Sequence, residues 1–255
     1  MRLSAEERAR YARQLALPEI GEAGQQRLAA GRVLVVGAGG LGSPAALYLA
    51  AAGVGTLGIV DGDVVDASNL QRQILHPTAS LGQPKALSAA ATLRAINPGI
   101  EVRPLVARLT AGDGPALLAN YDFIIDATDN FASKFLIADL CHAAGKPYSH
   151  AGIARFCGQA LTVLPGRTAC YRCVFEAPPA TSDGPPQGPL GAVPGVVGAI
   201  QATEALKFLL GAASLLTDRL FVYDAWRLTA RCVRVARRAD CPLCGKAGHK
   251  RSEDA

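Results

Sequence analysis

The chain has 255 residues, of which 50% are hydrophobic and 18% are charged, and its formal net charge is +5. This length and composition exclude a disordered chain and suit one large α/β domain, with two domains as an alternative. The N-terminus is too charged for a signal peptide, and no uncharged span reaches transmembrane length. We therefore expect a cytoplasmic protein without membrane contact.

Helices and strands alternate regularly over the first 150 residues. The first predicted helix begins at Ser4, which has capping-box spacing with Glu7, and ends before Pro18. Apolar runs and helical periodicity then predict, in order, Ala23–Ala30 (helix), Arg32–Val36 (strand), Ser43–Ala52 (helix), Thr56–Val60 (strand), Pro84–Ile96 (helix), Glu101–Val106 (strand), Tyr121–Asp126 (strand) and Phe131–Ala144 (helix). This repetition predicts a Rossmann-like, doubly wound and mainly parallel sheet.

The pattern changes after about residue 150. Strands are predicted at Ala160–Leu164, Arg219–Tyr223 and Thr229–Val235, and a helix at Val196–Leu210. We expect these strands to extend the first sheet in antiparallel or mixed fashion, the last two as a hairpin. The segment Ala177–Pro194 is rich in proline and glycine, which predicts a long mobile loop or a disordered linker.

A glycine loop follows the first predicted strand. Gly37, Gly39 and Gly42 have the G-x-G-x-x-G spacing, with Gly40 inside it, and such a loop brings backbone N–H groups close to phosphate at a helix N-terminus. Asp61 ends the next strand 19 residues after Gly42, where a carboxylate can accept hydrogen bonds from a ribose. These features fit either ATP or a dinucleotide, and they leave an NAD-dependent oxidoreductase as an alternative.

Two later cations favour ATP. Arg72 and Lys85 follow the glycine loop in the chain, and together they could neutralise a triphosphate, which a dehydrogenase site has less need to do. The excess of positive charge after residue 226 is either a solvated face or an attraction for an acidic protein partner. We expect no nucleic-acid partner, because the chain has no interleaved aromatic platform.

Several separate motifs resemble one enzyme family. They are Ser68–Gln73, Gly82–Lys85, Ile96–Pro98 and Asp126–Asn130. In this order they are similar to the E1-like adenylyltransferases of sulfur-carrier proteins, the HesA/MoeB/ThiF family, and most of all to its molybdopterin branch, then to its thiamine branch. The resemblance runs from about Tyr11 to Gly245.

The resemblance implies a reaction and its cofactors. The C-terminal glycine carboxylate of a small ubiquitin-like sulfur carrier, ending in Gly-Gly, would attack ATP to give an acyl adenylate and pyrophosphate, with Mg²⁺ as a cofactor. The product would serve sulfur transfer for molybdopterin or thiamine. A zinc-stabilised scaffold that binds a ubiquitin-like protein without activating it remains an alternative.

The resemblance also implies roles for individual residues. Arg72 and Lys85 would contact the phosphates, Asp61 the ribose and Asp129 the Mg²⁺, although Asp129 could instead cap the next helix. The remaining nucleotide contacts would come from the glycine loop and from Asp63, Asn69, Gln73 and Asn130. Arg13 matches an arginine that family members insert into the neighbouring subunit's site, which implies a homodimer with shared active sites.

Two C-x-x-C pairs predict a structural zinc site. Cys170 and Cys173 form one pair and Cys241 and Cys244 the other, and four thiolates suit tetrahedral Zn²⁺, with redox pairs as the alternative. The other cysteines differ in context: we expect Cys141 and Cys232 to be buried, and the sequence favours neither burial nor exposure for Cys157. Because the predicted loop at 177–194 lacks the cysteine that some family members carry there, the resemblance favours adenylation alone.

We expect the whole chain, 1–255, to be a single adenylation domain. Within it, residues 1–30 would form N-terminal helices, 31–150 the nucleotide-binding half, 151–245 the carrier-binding and zinc half, and 246–255 a disordered tail.

Overall fold

The structure, a computed structural model, describes residues 3–177 and 188–245. Its strands are β1 (Arg32–Val36), β2 (Thr56–Val60), β3 (Glu101–Leu105), β4 (Phe123–Asp126), β5 (Tyr148–Ala154), β6 (Cys157–Val163), β7 (Arg219–Asp224) and β8 (Thr229–Arg234). They form one eight-stranded sheet in the order β3-β2-β1-β4-β5-β6-β7-β8.

The helices precede, connect and cover these strands. They are α1 (Ala5–Arg10), α2 (Ala12–Leu15), α3 (Gly21–Ala30), α4 (Gly42–Ala51), α5 (Lys85–Ile96), α6 (Gly114–Ala119), α7 (Phe131–Ala143), α8 (Tyr171–Val174) and α9 (Ala192–Leu210). Helix α1 begins with the predicted capping box, in which the Ser4 hydroxyl accepts from the Glu7 N–H and the Glu7 carboxylate accepts from the Ser4 N–H.

The sheet changes direction between its two halves. Strands β1 to β5 pair in parallel, and β5 to β8 pair antiparallel. In the parallel half, Val35 of β1 is opposite Ile59 of β2 and Ile125 of β4, and all three side chains are fully buried. Because a parallel sheet is covered on both faces, its inner strands β1, β2 and β4 are mainly apolar, whereas β3 at the edge is largely exposed. The carboxyl ends of the parallel strands meet at one edge.

Two apolar clusters cover the two faces of this sheet. Helices α4, α5 and α9 pack on one face, and α7 and α8 pack on the other. Helix α9 is long and apolar enough to cross a membrane by length and composition alone. Within the fold it is a core helix, because Val197 and Ala205 are fully buried and the Glu204 carboxylate accepts a hydrogen bond from the Thr162 hydroxyl.

Most predicted elements are confirmed to within a few residues, including the β7–β8 hairpin. The first helix breaks at Tyr11 into α1 and α2, and β5, α6 and α8 are elements that the sequence patterns missed. The predicted loop Ala177–Pro194 extends too far, since α9 already begins at Ala192. The rest of that prediction, over 178–187, and the predicted tail at 246–255 lie outside the described residues.

The predicted burial of Cys232 is wrong. Cys232 lies in β8, the last strand of the sheet, and all six residues of β8 are exposed on both faces. An edge strand that no layer covers has no buried face, so apolar character within it does not predict burial. Cys141 is fully buried as predicted, and Cys157 is exposed.

Candidate functional site

A cavity of about 700 Å³ lies at the carboxyl ends of β1, β2, β4 and β5. Most of the predicted nucleotide-binding residues line it: Gly37, Gly39, Gly40, Asp61, Asp63, Arg72, Gln73, Lys85, Asp129 and Asn130. A ligand at this edge of an open parallel sheet is the common arrangement in doubly wound folds. The volume of the cavity falls within the range of small-molecule sites.

The glycine loop is shaped by close backbone contacts. Gly37 has φ of +99°, and a Cβ at Gly42 would lie 1.9 Å from the Gly37 carbonyl oxygen, so only glycine fits at Gly42. Gly42 therefore does not line the cavity and instead lets α4 start against the loop. The Asp61 carboxylate accepts hydrogen bonds from the N–H groups of Ala38 and Asp63, both at 2.8 Å, which fixes the loop from the β2 side.

Three basic side chains, Lys85, Arg108 and Arg72, line this cavity. Lys85 is only 6% exposed, and its Nζ lies 3.5 Å from Asp63 Oδ2. Arg108, which the sequence patterns missed, donates from Nη2 to Asp63 Oδ1 at 3.1 Å. Arg72 donates from Nη1 to the Ser68 carbonyl at 3.1 Å. Because these cations share one carboxylate and one carbonyl, they retain donors for an anionic ligand.

A tight turn carries Arg72 and Gln73 towards the loop. The Asn69 carbonyl accepts from the backbone N–H groups of Arg72 and Gln73, at 3.1 and 2.9 Å, so Asn69 supports the turn and does not line the cavity. Gln73 is 5% exposed, and its Oε1 has no hydrogen-bond partner among the described residues. A buried acceptor that lines a cavity is available for a ligand donor.

Asp129 and Asn130 divide their roles at the start of α7. The Asn130 side chain caps the helix by accepting from the Ser133 N–H at 2.9 Å. Asp129 is exposed and lines the cavity, and it makes no side-chain hydrogen bond within 3–177 and 188–245. The alternative prediction that Asp129 caps the helix is therefore wrong, and its carboxylate can face a cation in the cavity.

A buried ionic network lies below this loop, and sequence patterns did not reveal it. The Asp126 carboxylate accepts from His150 Nδ1 at 2.8 Å and from the Thr128 hydroxyl at 2.6 Å, and Lys134 Nζ lies 3.6 Å away. Burial alone would raise the pKa of Asp126, but Lys134, His150 and Thr128 together lower it to about 2. Burial lowers the pKa of His150, so its ring is neutral at pH 7.

The two C-x-x-C pairs meet behind the sheet as a buried four-cysteine cluster of Cys170, Cys173, Cys241 and Cys244. Their sulfur atoms all lie within 4.8 Å of one another, with separations of 3.4 to 3.7 Å for three pairs. Sulfurs about 2.3 Å from a tetrahedral Zn²⁺ would be separated by about 3.8 Å, so the four thiols fit that ion. The backbone N–H of Arg238 donates to Cys173 Sγ at 3.5 Å, a contact that favours a thiolate.

Arg13 lies apart from the cavity of its own chain. It is an exposed residue of α2 and is absent from the cavity lining. The neighbouring Tyr11 is buried, and its hydroxyl accepts from the Asn97 side chain at 2.9 Å, which anchors the N-terminal helices to the end of α5. Within the described residues of one chain, therefore, Arg13 does not line the cavity.

Known proteins similar to this chain include named adenylyltransferases. The ThiF family profile matches residues 11–243. The SAMP-activating enzyme E1 of Haloferax volcanii is 48% identical over 99% of this chain and 94% of that protein. The sulfur carrier protein adenylyltransferase of Thermus thermophilus is 44% identical over 96% of this chain and 93% of that protein. The adenylyltransferase and sulfurtransferase MOCS3 of Bos taurus is 49% identical over 96% of this chain, and the match covers only 54% of MOCS3.

Solved structures share the fold at lower identity. E. coli MccB with ATP has a TM-score of 0.80 and 21% sequence identity to this chain, and the alignment covers 92% of this chain and 74% of MccB. At that identity the likeness concerns the fold alone.

Proposed function

The chain belongs to the ThiF family, and on that premise we propose that it adenylates a small ubiquitin-like sulfur-carrier protein at its C-terminal glycine carboxylate, with ATP as the adenylyl donor. One observation carries the proposal: one cavity is lined by the glycine loop, Arg72, Lys85 and the exposed carboxylate of Asp129. The names of the Haloferax and Thermus relatives support the same reaction. The cations favour a triphosphate over the dinucleotide of an oxidoreductase.

The chemistry needs positioning more than acid–base groups. A glycine carboxylate is already ionised at pH 7, so its oxygen can attack the α-phosphorus of ATP without a general base. The new bond joins that oxygen to phosphorus, and the bond to the pyrophosphate oxygen breaks, releasing pyrophosphate. Arg72 and Lys85 would offset the negative charge that gathers on the phosphate oxygens, and the cavity would hold the two reactants in line.

Magnesium fits the acidic side of this cavity. Asp129 offers a carboxylate that makes no side-chain hydrogen bond among the described residues, and a hard cation prefers such oxygen ligands. A bound Mg²⁺ would supply additional charge to the β- and γ-phosphates. Asp63, which already pairs with Lys85 and Arg108, would instead keep those two cations in place.

A homodimer would complete the site. Because Arg13 does not reach the cavity of its own chain, we propose that it enters the cavity of a second copy as an added guanidinium. Exposed apolar side chains on α4, in the segment before α5 and on α5, namely Tyr48, Ile74 and Leu87 at 59%, 61% and 49% exposure, support burial against another copy. Mixing Arg13→Ala chains with Asp129→Ala chains should restore part of the activity, since some mixed dimers would contain one intact site. No recovery on mixing would contradict shared sites.

The four-cysteine cluster would hold a structural Zn²⁺. It ties the segment after β8 to the start of α8, and it lies on the face of the sheet opposite α9. All seven cysteines are free of disulfides, which suits the reducing cytoplasm that we propose as the site of action. The carrier would be that of the molybdopterin or the thiamine pathway, each of which presents a glycine-ended tail.

Pyrophosphate exchange tests the proposed function. With ATP, Mg²⁺ and a small carrier ending in Gly-Gly, the protein should exchange labelled pyrophosphate into ATP in a carrier-dependent way. Arg72→Ala and Asp129→Ala should each lower the exchange rate by about 100-fold or more. Arg103→Ala is the matched control, because Arg103 pairs with Glu101 on the surface and does not line the cavity. Full exchange by both cavity variants would contradict the assigned site.

A further inference from the structure

Asp126 and Lys134 form a buried ion pair next to the cavity. The two side chains are 1% and 7% exposed, and they lie beneath the loop from β4 to α7 that carries Asp129. We propose that Asp126 and Lys134 are positioning residues, which hold the Asp129 carboxylate towards the nucleotide without contacting either substrate. This inference rests on the adenylation proposed above.

The Asp126 carboxylate has no free acceptor for a cation. Its Oδ1 accepts from the Thr128 N–H at 3.1 Å and from the Thr128 hydroxyl at 2.6 Å, and its Oδ2 accepts from His150 Nδ1 at 2.8 Å and faces Lys134. Four groups therefore surround its two oxygens. Asp129, three residues later, has no side-chain hydrogen bond within the described part of the chain. Of the two acids, only Asp129 is available to a ligand.

The three N–H donors of the Lys134 ammonium group are also occupied, although Lys134 lines the cavity. Its Nζ donates to the carbonyls of Thr128 and Ala151, each at 2.6 Å, and the Asp126 carboxylate takes the third direction. An ammonium group has only three donors, so a phosphate could bind Lys134 only by breaking one of these contacts. The contacts instead tie the peptide before Asp129 to strand β5.

These bonds fix the backbone on both sides of Asp129. Thr128 is held at its N–H, its hydroxyl and its carbonyl, and Asn130 is held as the cap of α7. Between them the Asp129 side chain makes no hydrogen bond among the described residues, although its charge also acts on Lys134, and its backbone is held in place. If the Thr128 carbonyl loses Lys134, the peptide can rotate and move the Asp129 carboxylate, and a displacement of about 1 Å in a catalytic group can cost about 100-fold in rate.

A double-mutant cycle separates this role from general stabilisation. Carrier-dependent exchange should fall by about 100-fold in Lys134→Met and by about 100-fold in Asp129→Asn. The double variant should also lose only about 100-fold relative to the wild type, because both changes remove the same contribution. Lys134→Arg retains the charge and should recover to within about tenfold of the wild type. The control is Lys146→Met, since Lys146 likewise donates to two carbonyls, Ala119 and Tyr121, but lies outside the cavity.

Thr128→Val provides a second route if Lys134→Met unfolds. It removes one hydroxyl from Asp126 and should lower exchange by about tenfold in the wild type but not in the Asp129→Asn background. Multiplied losses in the double variants, near 10,000-fold for Lys134→Met with Asp129→Asn, would overturn the positioning role. Unchanged exchange in Lys134→Met would do so as well. Failure of the proposed function is distinguishable, because the wild type itself would then show no exchange.

Discussion

Replacing Gly42 with alanine should damage the nucleotide site while leaving most of the fold intact. A Cβ at Gly42 would lie 1.9 Å from the Gly37 carbonyl oxygen, and carbon and oxygen in contact require more than 3 Å. The glycine loop must therefore shift by about 1 Å or more. The opposing group is backbone, so no side chain can rotate away to make room.

Two magnitudes follow from that displacement. Overpacking of this kind costs about 1–3 kcal/mol of unfolding free energy, which most domains survive. Moving the loop amides by about 1 Å should weaken ATP binding or lower the rate by up to about 100-fold, because those N–H groups would contact phosphate only in one geometry. A 100-fold loss corresponds to about 2.7 kcal/mol, so the losses of binding and of unfolding free energy should be of similar size.

Calorimetry with ATP and urea unfolding measure these two effects. The control is Gly195→Ala: Gly195 lies in α9, a Cβ there meets nothing within 4 Å, and alanine should stabilise the helix by about 0.5–1 kcal/mol. ATP affinity should be unchanged in that control. If Gly42→Ala bound ATP as tightly as the wild type, the glycine loop would not be the phosphate site.

Three further predictions concern charge, thiols and metal. The pKa of Asp126 is about 2 instead of 3.8, so its carboxylate contributes about 2 kcal/mol above pH 4 that is lost as the pH falls towards 2; the difference in urea stability between the wild type and Asp126→Asn should shrink over that range. A thiol reagent should modify Cys157 and Cys232 rapidly in the folded protein and leave Cys141 unmodified, and ATP should slow the reaction of Cys157, which lines the cavity. Equal rates for all three thiols would contradict the burial described here. Removal of zinc by a chelator should lower the melting temperature, and a protein that contains no zinc by elemental analysis would rule out the four-cysteine cluster as its site.

The sequence predicted the parallel half of the fold better than its edges. Apolar, β-branched strands such as Arg32–Val36 are buried on both faces, so their pattern and their burial agree. Strand β5 was missed because Ser149, His150 and Gly152 interrupt its apolar pattern. The buried His150 ring contacts the Asp126 carboxylate, and the Ser149 carbonyl accepts from the Gln201 side chain, contacts that only the fold provides. The predicted burial of Cys232 is wrong for the opposite reason, because its strand has the pattern of a buried strand but no layer covers it.

In the candidate site, too, sequence patterns predicted the residues that local geometry constrains and missed those that depend on distant contacts. Spacing located the glycine loop and the two C-x-x-C pairs, because local backbone geometry and metal geometry constrain the residues directly. Lys134 offered no such signal, since a lysine near the start of a helix usually faces solvent. It is buried here because the Asp126 carboxylate and two carbonyls, one of them on β5, converge on it. Partners that are distant in sequence cannot be read from spacing alone.

The most direct test of carrier adenylation is mass spectrometry of the carrier after incubation with the enzyme, ATP and Mg²⁺. We expect the C-terminal glycine of the carrier to gain one adenylyl group, and hydroxylamine to convert that acyl adenylate to a hydroxamate. The Asp129→Ala enzyme should produce neither species above background. A carrier that stays unmodified while ATP is bound, or that is modified elsewhere than at its C-terminal carboxylate, would contradict the proposed function.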